Sequence, residues 1–154
     1  MSMTSIITRF LHFIHLISRS HTLGVRAIVR DDEGRVFLVK HTYVTGWYLP
    51  GGGVEVGETF AQALEKELRE EGNIHMKGEG RLIAIYQNRR ISRRDHVALY
   101  ECPNWHQPAP PKIPNGEILD AGFFKLDDLP KGVTDATLRR LDEVTKGGPF
   151  DPYW

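Results

Sequence analysis

Between Leu49 and Asn73 the chain passes from three consecutive glycines, Gly51 to Gly53, into a segment carrying Glu67, Glu70 and Glu71. This junction limits the fold more than any other stretch. Pro50 and the glycines form a turn that can bring backbone groups close to an anionic ligand or a metal. Thr59 followed three residues later by Gln62 is a capping-box signature, so a helix begins there and runs to about Glu71. Phe60, Leu64 and Leu68 recur at helical spacing and mark the face that enters the core. Glu67, Glu70 and Glu71 stand at i, i+3 and i+4 and share another face. At ~5 Å and an effective dielectric of ~20, two carboxylates repel by roughly 3 kcal/mol. That face is therefore either fully solvated or built to hold a hard divalent cation.

The flanking segments supply a sheet. Gly24 to Arg30 alternates, Asp31 to Gly34 is turn chemistry, and Val36 to Lys40 is β-rich, a pattern that predicts a hairpin. Two further strands are expected near 81–89 and 95–101, joined by an arginine-rich turn, and a last short one over 123–126. Pro103, Pro108, Pro110, Pro111 and Pro114 make 103–114 a stiff extended loop. Asp135 to Lys146 reads as a helix stopped by Gly147-Gly148-Pro149. Strands mixed with helices imply an α/β layered domain over 21–154. Residues 1–20 read as a separate amphipathic helix. Thr8, His12, His15 and Arg19 share one side and Ile7, Phe10, Ile14 and Ile17 the other. This helix is expected to pack on the domain or on a second subunit, which would make a homodimer contact. A membrane-surface helix is the alternative, disfavoured by the little firm positive charge on its polar face.

Composition narrows the function classes. Lys and Arg number 20 and Asp and Glu 20, so the net charge is zero and no overall field favours nucleic acid. No apolar run reaches the ~18 residues of a membrane span. The single cysteine, Cys102, forbids an internal disulfide and fits a reducing, cytoplasmic setting. Neither a nucleic acid nor a membrane is expected as a partner.

The segment from Gly52 to Ile74 resembles the Nudix box, Gly-x5-Glu-x7-Arg-Glu-U-x-Glu-Glu-x-Gly-U, where U is aliphatic. Gly52, Glu58, Glu67, Leu68, Glu70, Glu71 and Ile74 fall on its positions. The Leu49-Pro-Gly-Gly order before the helix matches as well, and the likeness extends from about Gly24 to Leu129. Two positions depart: Lys66 replaces the box arginine, and Asn73 replaces the last glycine. Asn tolerates the left-handed conformation that closes a helix. An ammonium lacks the planar fork of a guanidinium and is expected to pair with one carboxylate oxygen at a time, which puts the box arginine's orienting role in question.

The resemblance implies an α/β/α sandwich with a mixed sheet. It also implies hydrolysis of a pyrophosphate bond in a nucleoside diphosphate linked to another group, or in a nucleoside triphosphate, with Mg²⁺ or Mn²⁺. Glu70 and Glu71 would bind the cation with the Gly51 carbonyl, and Glu67 would be a further ligand or the base that activates water. Gly52, Glu58 and Lys66 would support the site, and Glu117 is the best candidate for the late-loop glutamate that joins it. Arg89, Arg90 and Arg93 form a local basic turn that could grip a phosphate or simply be a solvated tip. Trp105 could stack on a base or anchor its own loop. Beside the enzyme stands a second reading, a catalytically weak nucleotide-binding regulatory module. Nothing downstream of the box specifies a nucleobase.

Overall fold

The computed structural model describes residues 3–154, with side chains from residue 7 onward. Met1 and Ser2 of the expected N-terminal unit lie outside the described residues. Strand β1 (Thr22–Val29) lies parallel to β5 (Asp95–Cys102), which pairs antiparallel with β4 (Arg81–Gln87), so this sheet is mixed. Strand β2 (Val36–His41) pairs antiparallel with β7 (Ile118–Phe124), and the short β3 (His75–Met76) with β6 (Trp105–His106).

Alternation along these strands sends side chains to two different helices. Val25, Ala27, Val29, Phe37 and Val39 pack in one cluster with Ala63, Leu64 and Leu68 of α2 (Phe60–Gly72). Ile28, Val36 and Leu38 pack in another with Leu141 of α3 (Asp135–Lys146). Val36 to Val39 are all buried because both faces of β2 are covered. The result is the expected α/β/α sandwich. Trp47 belongs to the second cluster, as a packing residue.

Local signals are realised closely. Thr59 and Gln62 form the reciprocal capping box, and Asn73 closes α2 in the left-handed conformation at φ 50°. Thr134 caps α3, and Gly147 ends it. Arg140 of α3 is fully buried, paired with Glu143 at 2.7 Å and placed over the Tyr86 ring. It donates to the Tyr153 carbonyl, which fastens the C-terminal residues to the domain.

Three expectations need correction. The segments 24–30 and 36–40 are not a hairpin. Asp31 to Gly34 does make a turn, but beyond the single Arg30–Val36 bridge the two strands take partners far along the chain. The last strand begins at Ile118, well before Phe123. Finally, α1 (Met3–Ser18) is helical as expected, yet it does not pack on the domain: Ile7, Phe10, Leu11, Phe13, Ile14, Leu16 and Ile17 are 41–63% exposed. Amphipathic spacing shows that a helix has an apolar face, not what covers it. Among the described residues, no helix is long and apolar enough to cross a membrane.

Candidate active site

The glycine turn runs along β1 as a partial extra strand. Ala27 N–H donates to the Pro50 carbonyl and Val25 N–H to the Gly52 carbonyl, each at 2.9 Å. At Gly51 φ is +136°, and a Cβ would stand 2.1 Å from the Val25 carbonyl oxygen. Only glycine fits there. A Cβ on Gly52 would stand 2.5 Å from Glu67 Oε1. Gly52 therefore supports the site by letting a carboxylate of α2 lie against the backbone.

The three glutamates of α2 meet different surroundings. Glu71 is 2% exposed, Glu67 is half-buried and Glu70 is exposed. Gly51 N–H donates to Glu71 Oε2 at 2.7 Å, whereas Glu71 Oε1 is buried with no hydrogen-bond partner. Burial pushes the Glu71 carboxyl up to about 8, with Glu67 and Glu117 adding to the rise; Arg26 and the Gly51 N–H oppose it. Glu67 is raised as well, chiefly by burial and then by Glu70 and Glu117, against Lys66 and Arg26.

Glu117 immediately precedes β7. Its N–H is held by the Asn115 side chain, and its carbonyl accepts from Thr42 N–H at 2.8 Å. That pairing carries Glu117 to the carboxylate face. One ligand atom from each of His41, Glu71 and Glu117 lies within 4.8 Å of the others.

Lys66 makes no ion pair with Glu67, Glu70 or Glu71 among the described residues. Its ammonium donates to both oxygens of Glu58, at 2.9 and 3.1 Å, and Glu58 also accepts from Glu55 N–H at 2.9 Å. The expectation of one oxygen at a time is thus corrected: the ammonium bridges the carboxylate. The Glu55 N–H and then Lys66 hold the Glu58 carboxyl below its usual range. The pair ties the 55–58 turn to α2 and leaves Lys66 as a positive neighbour of Glu67. Lys66→Arg is accordingly expected to keep kcat/KM within about threefold, and Lys66→Ala to lower it by ~10-fold or more. Steady-state kinetics on the three proteins checks this, and equal damage in both variants would contradict it.

The remaining expected residues are not brought to the carboxylates. Arg89 lies over the Tyr153 ring, 3.5 Å from its centroid, and donates to the Tyr153 hydroxyl. Arg90 and Arg93 are exposed at the same tip, where the Arg93 carbonyl accepts from Gln87. The cation felt by both Glu67 and Glu71 is instead Arg26, and Glu67 also feels Lys66. Trp105 stacks on Phe123 and donates Nε1–H to the Arg30 carbonyl at 3.0 Å, so it anchors its loop.

Two residues of the site escaped the sequence reading. Arg26 sits at mid-strand and donates to the Leu49 carbonyl at 2.8 Å. His41 is 5% exposed, with its Nε2 3.6 Å from Glu71 Oε1. Alternation did hold a signal for His41, because it follows Phe37 and Val39 on the face under α2.

The comparisons agree with this geometry. The family model for the NUDIX domain matches residues 20–143. The chain belongs to the Nudix family. It is 32% identical over 122 residues to the NAD-capped RNA hydrolase NudC of Yersinia enterocolitica, covering 77% of this chain and 44% of that protein. With the RNA pyrophosphohydrolase of Halorhodospira halophila it shares 47% over 48 residues, or 31% of this chain and 26% of that one. It therefore spans less than half the length of either curated relative. The crystal structure of a MutT Nudix hydrolase from Burkholderia pseudomallei superposes with a TM-score of 0.68 at 26% identity, over 81% of this chain and 98% of that chain. A UDP-X diphosphatase structure covers 91% of this chain and 71% of its own at a TM-score of 0.61 and 26% identity.

Proposed function

We propose that this Nudix protein hydrolyses a pyrophosphate bond in a nucleoside diphosphate linked to another group, or in a nucleoside triphosphate, with Mg²⁺ or Mn²⁺ as cofactor. The observation that carries the reading is Glu71, a buried carboxyl with one oxygen tied to the Gly51 N–H and the other without a partner. A buried anionic oxygen with nothing to pair is costly, and a cation beside it removes the cost. Glu70, Glu71 and Gly51 would hold the cation, with Glu67 and Glu117 beside them. When bound, the cation supplies charge neutralisation of the pyrophosphate and activation of water.

The chain's own part is proton handling and alignment. Glu67, raised by burial and like-charged neighbours, is suited to accept the proton of the attacking water. Water then bonds to phosphorus, the bridging P–O bond breaks, and its electron pair leaves with the second phosphate group. Gly52 leaves room for the Glu67 carboxylate, and Glu58 with Lys66 steadies the turn before α2. Glu117 adds a further carboxylate for the cation or the water. The observations assign no role in this scheme to Arg89, Arg90, Arg93 or Trp105.

The catalytic unit is proposed to span residues 21–154 and to act in the cytoplasm on a small nucleotide. Residues 1–20 form an appendage whose exposed apolar face pairs two copies of the chain. Removing residues 1–19 should then halve the mass measured by light scattering, and an unchanged mass would contradict pairing through α1. A panel of nucleoside diphosphate derivatives and (d)NTPs, each with Mg²⁺ and with Mn²⁺, tests the activity itself. Metal-dependent release of a nucleoside monophosphate is expected for at least one compound. Tight nucleotide binding with no turnover across the panel would favour the regulatory module instead.

A further inference from the structure

His41 closes β2, beside the register shift that brings it opposite Ile118. Its side chain is 4% exposed and that of Glu71 2%. Glu71 Oε1 is buried without a hydrogen-bond partner. Of the His41 ring nitrogens it is Nδ1 that is likewise buried and unpartnered, while Nε2 is the one that approaches Glu71. The 3.6 Å between His41 Nε2 and Glu71 Oε1 is too long for a hydrogen bond. A charge-assisted pair would close to about 2.8 Å. Two ligand atoms each ~2.1 Å from one cation stand ~3.0 Å apart at a right angle and ~3.4 Å apart at the tetrahedral angle. The observed gap is close to that bite. Glu117 offers a third atom within 4.8 Å of the other two, from an exposed carboxylate that can adjust.

We propose that His41 is a nitrogen ligand of a divalent cation shared with Glu71 and Glu117, and that this nitrogen biases the site toward first-row transition-metal ions over Mg²⁺. The inference rests on the reading that the glutamates hold a divalent cation, and it adds a donor of different chemistry. Mg²⁺ demands oxygen ligands and keeps its waters, whereas imidazole nitrogen suits the transition metals. A buried imidazole nitrogen among carboxylates therefore changes which cation the site prefers. It leaves the charge that Glu71 and Glu117 supply unchanged.

Mn²⁺ alone, added to the full chain, is the probe. Electron spin-echo modulation of bound Mn²⁺ should show coupling to a directly bound nitrogen, and the signal should change when the protein is made with nitrogen-15 histidine. His41→Gln should abolish the coupling and weaken Mn²⁺ binding by ~10-fold or more. Mg²⁺ binding, read by competition, should change by less than about threefold. Stoichiometric Mn²⁺ binding that Glu70→Gln weakens, with no nitrogen coupling in the unsubstituted protein, would overturn the role of His41 and leave the glutamate site standing. Absence of stoichiometric Mn²⁺ binding would overturn both. Should His41→Gln fail to fold, the labelled unsubstituted protein decides the question alone.

Discussion

Glu70→Gln is expected to lower kcat/KM at least ~100-fold on the best substrate while leaving the melting temperature within ~2 °C. The two halves of that expectation have different origins. Glu70 is exposed, and among the described residues its side chain makes no ion pair or hydrogen bond, so the fold loses nothing with its charge. Its charge acts on Glu67, which it repels. An exposed carboxylate that only repels its neighbour adds nothing to stability, and its use must come from what binds the face. A hundredfold loss is ~2.7 kcal/mol of transition-state stabilisation, the scale on which a charged group at a reacting phosphate acts. Turnover within a few-fold of normal would remove Glu70 from the cation site.

Metal-free protein is expected to lose stability as the pH rises, and Glu71→Gln to remove most of that loss. The folded-state pKa of Glu71, about 8, stands above its ordinary value of 4.5, so the folded chain keeps a proton that the unfolded chain releases. The stabilisation is fully present below about 4.5 and is lost as the pH climbs through about 8. Glu67, raised for the same main reason, pulls in the same direction. A shift of this size is worth several kcal/mol at most, and with ~2–4 °C per kcal/mol for a domain of this length, a fall of ~5–10 °C is expected between pH 5 and pH 8.5 in a chelator. In Glu71→Gln the amide oxygen can still accept from Gly51 N–H, and the amide nitrogen faces His41, so nothing charged is buried. Divalent cation should restore the melting temperature of the unsubstituted protein at pH 8.5, by binding the folded state alone, and should do little for the variant. Thermal melts over that pH range, with chelator and with Mg²⁺, check both. A pH slope that survives in Glu71→Gln would show that burial of this carboxyl is not its source.

What could be read ahead of the structure was what the chain decides locally. The cap at Thr59, the left-handed close at Asn73 and the stop at Gly147 each depend on a few adjacent residues. The face shared by Glu67, Glu70 and Glu71 follows from helical spacing alone. Pairings between distant segments were not legible. A turn at Asp31 is compatible with a hairpin, but β1 gains its ladder from β5, about seventy residues on, and β2 from β7. Those same pairings decide the parts of the site that spacing cannot show. Glu117 reaches Glu71 because β7 lies on β2, and His41 reaches it because β2 ends beneath α2. Lys66 looked like a weakened arginine, but its work depends on where the 55–58 turn places Glu58, and the turn brings both oxygens within reach. The arginine turn and Trp105 show the opposite error. Residue type suggested phosphate and base contacts, whereas Tyr153 and Phe123 already occupy Arg89 and Trp105.

Water activated at the α2 carboxylate face is proposed to attack a phosphorus of a pyrophosphate. The most direct measurement is mass spectrometry of the products after turnover of the best substrate in oxygen-18 water with Mg²⁺ or Mn²⁺. One solvent oxygen should appear in one of the two phosphate products, none in the other, and label should enter only when a divalent cation is present. Chelator should abolish incorporation, and Glu70→Gln should slow it at least ~100-fold. Products that form without solvent oxygen on phosphorus, or label that enters equally in a chelator, would contradict the account.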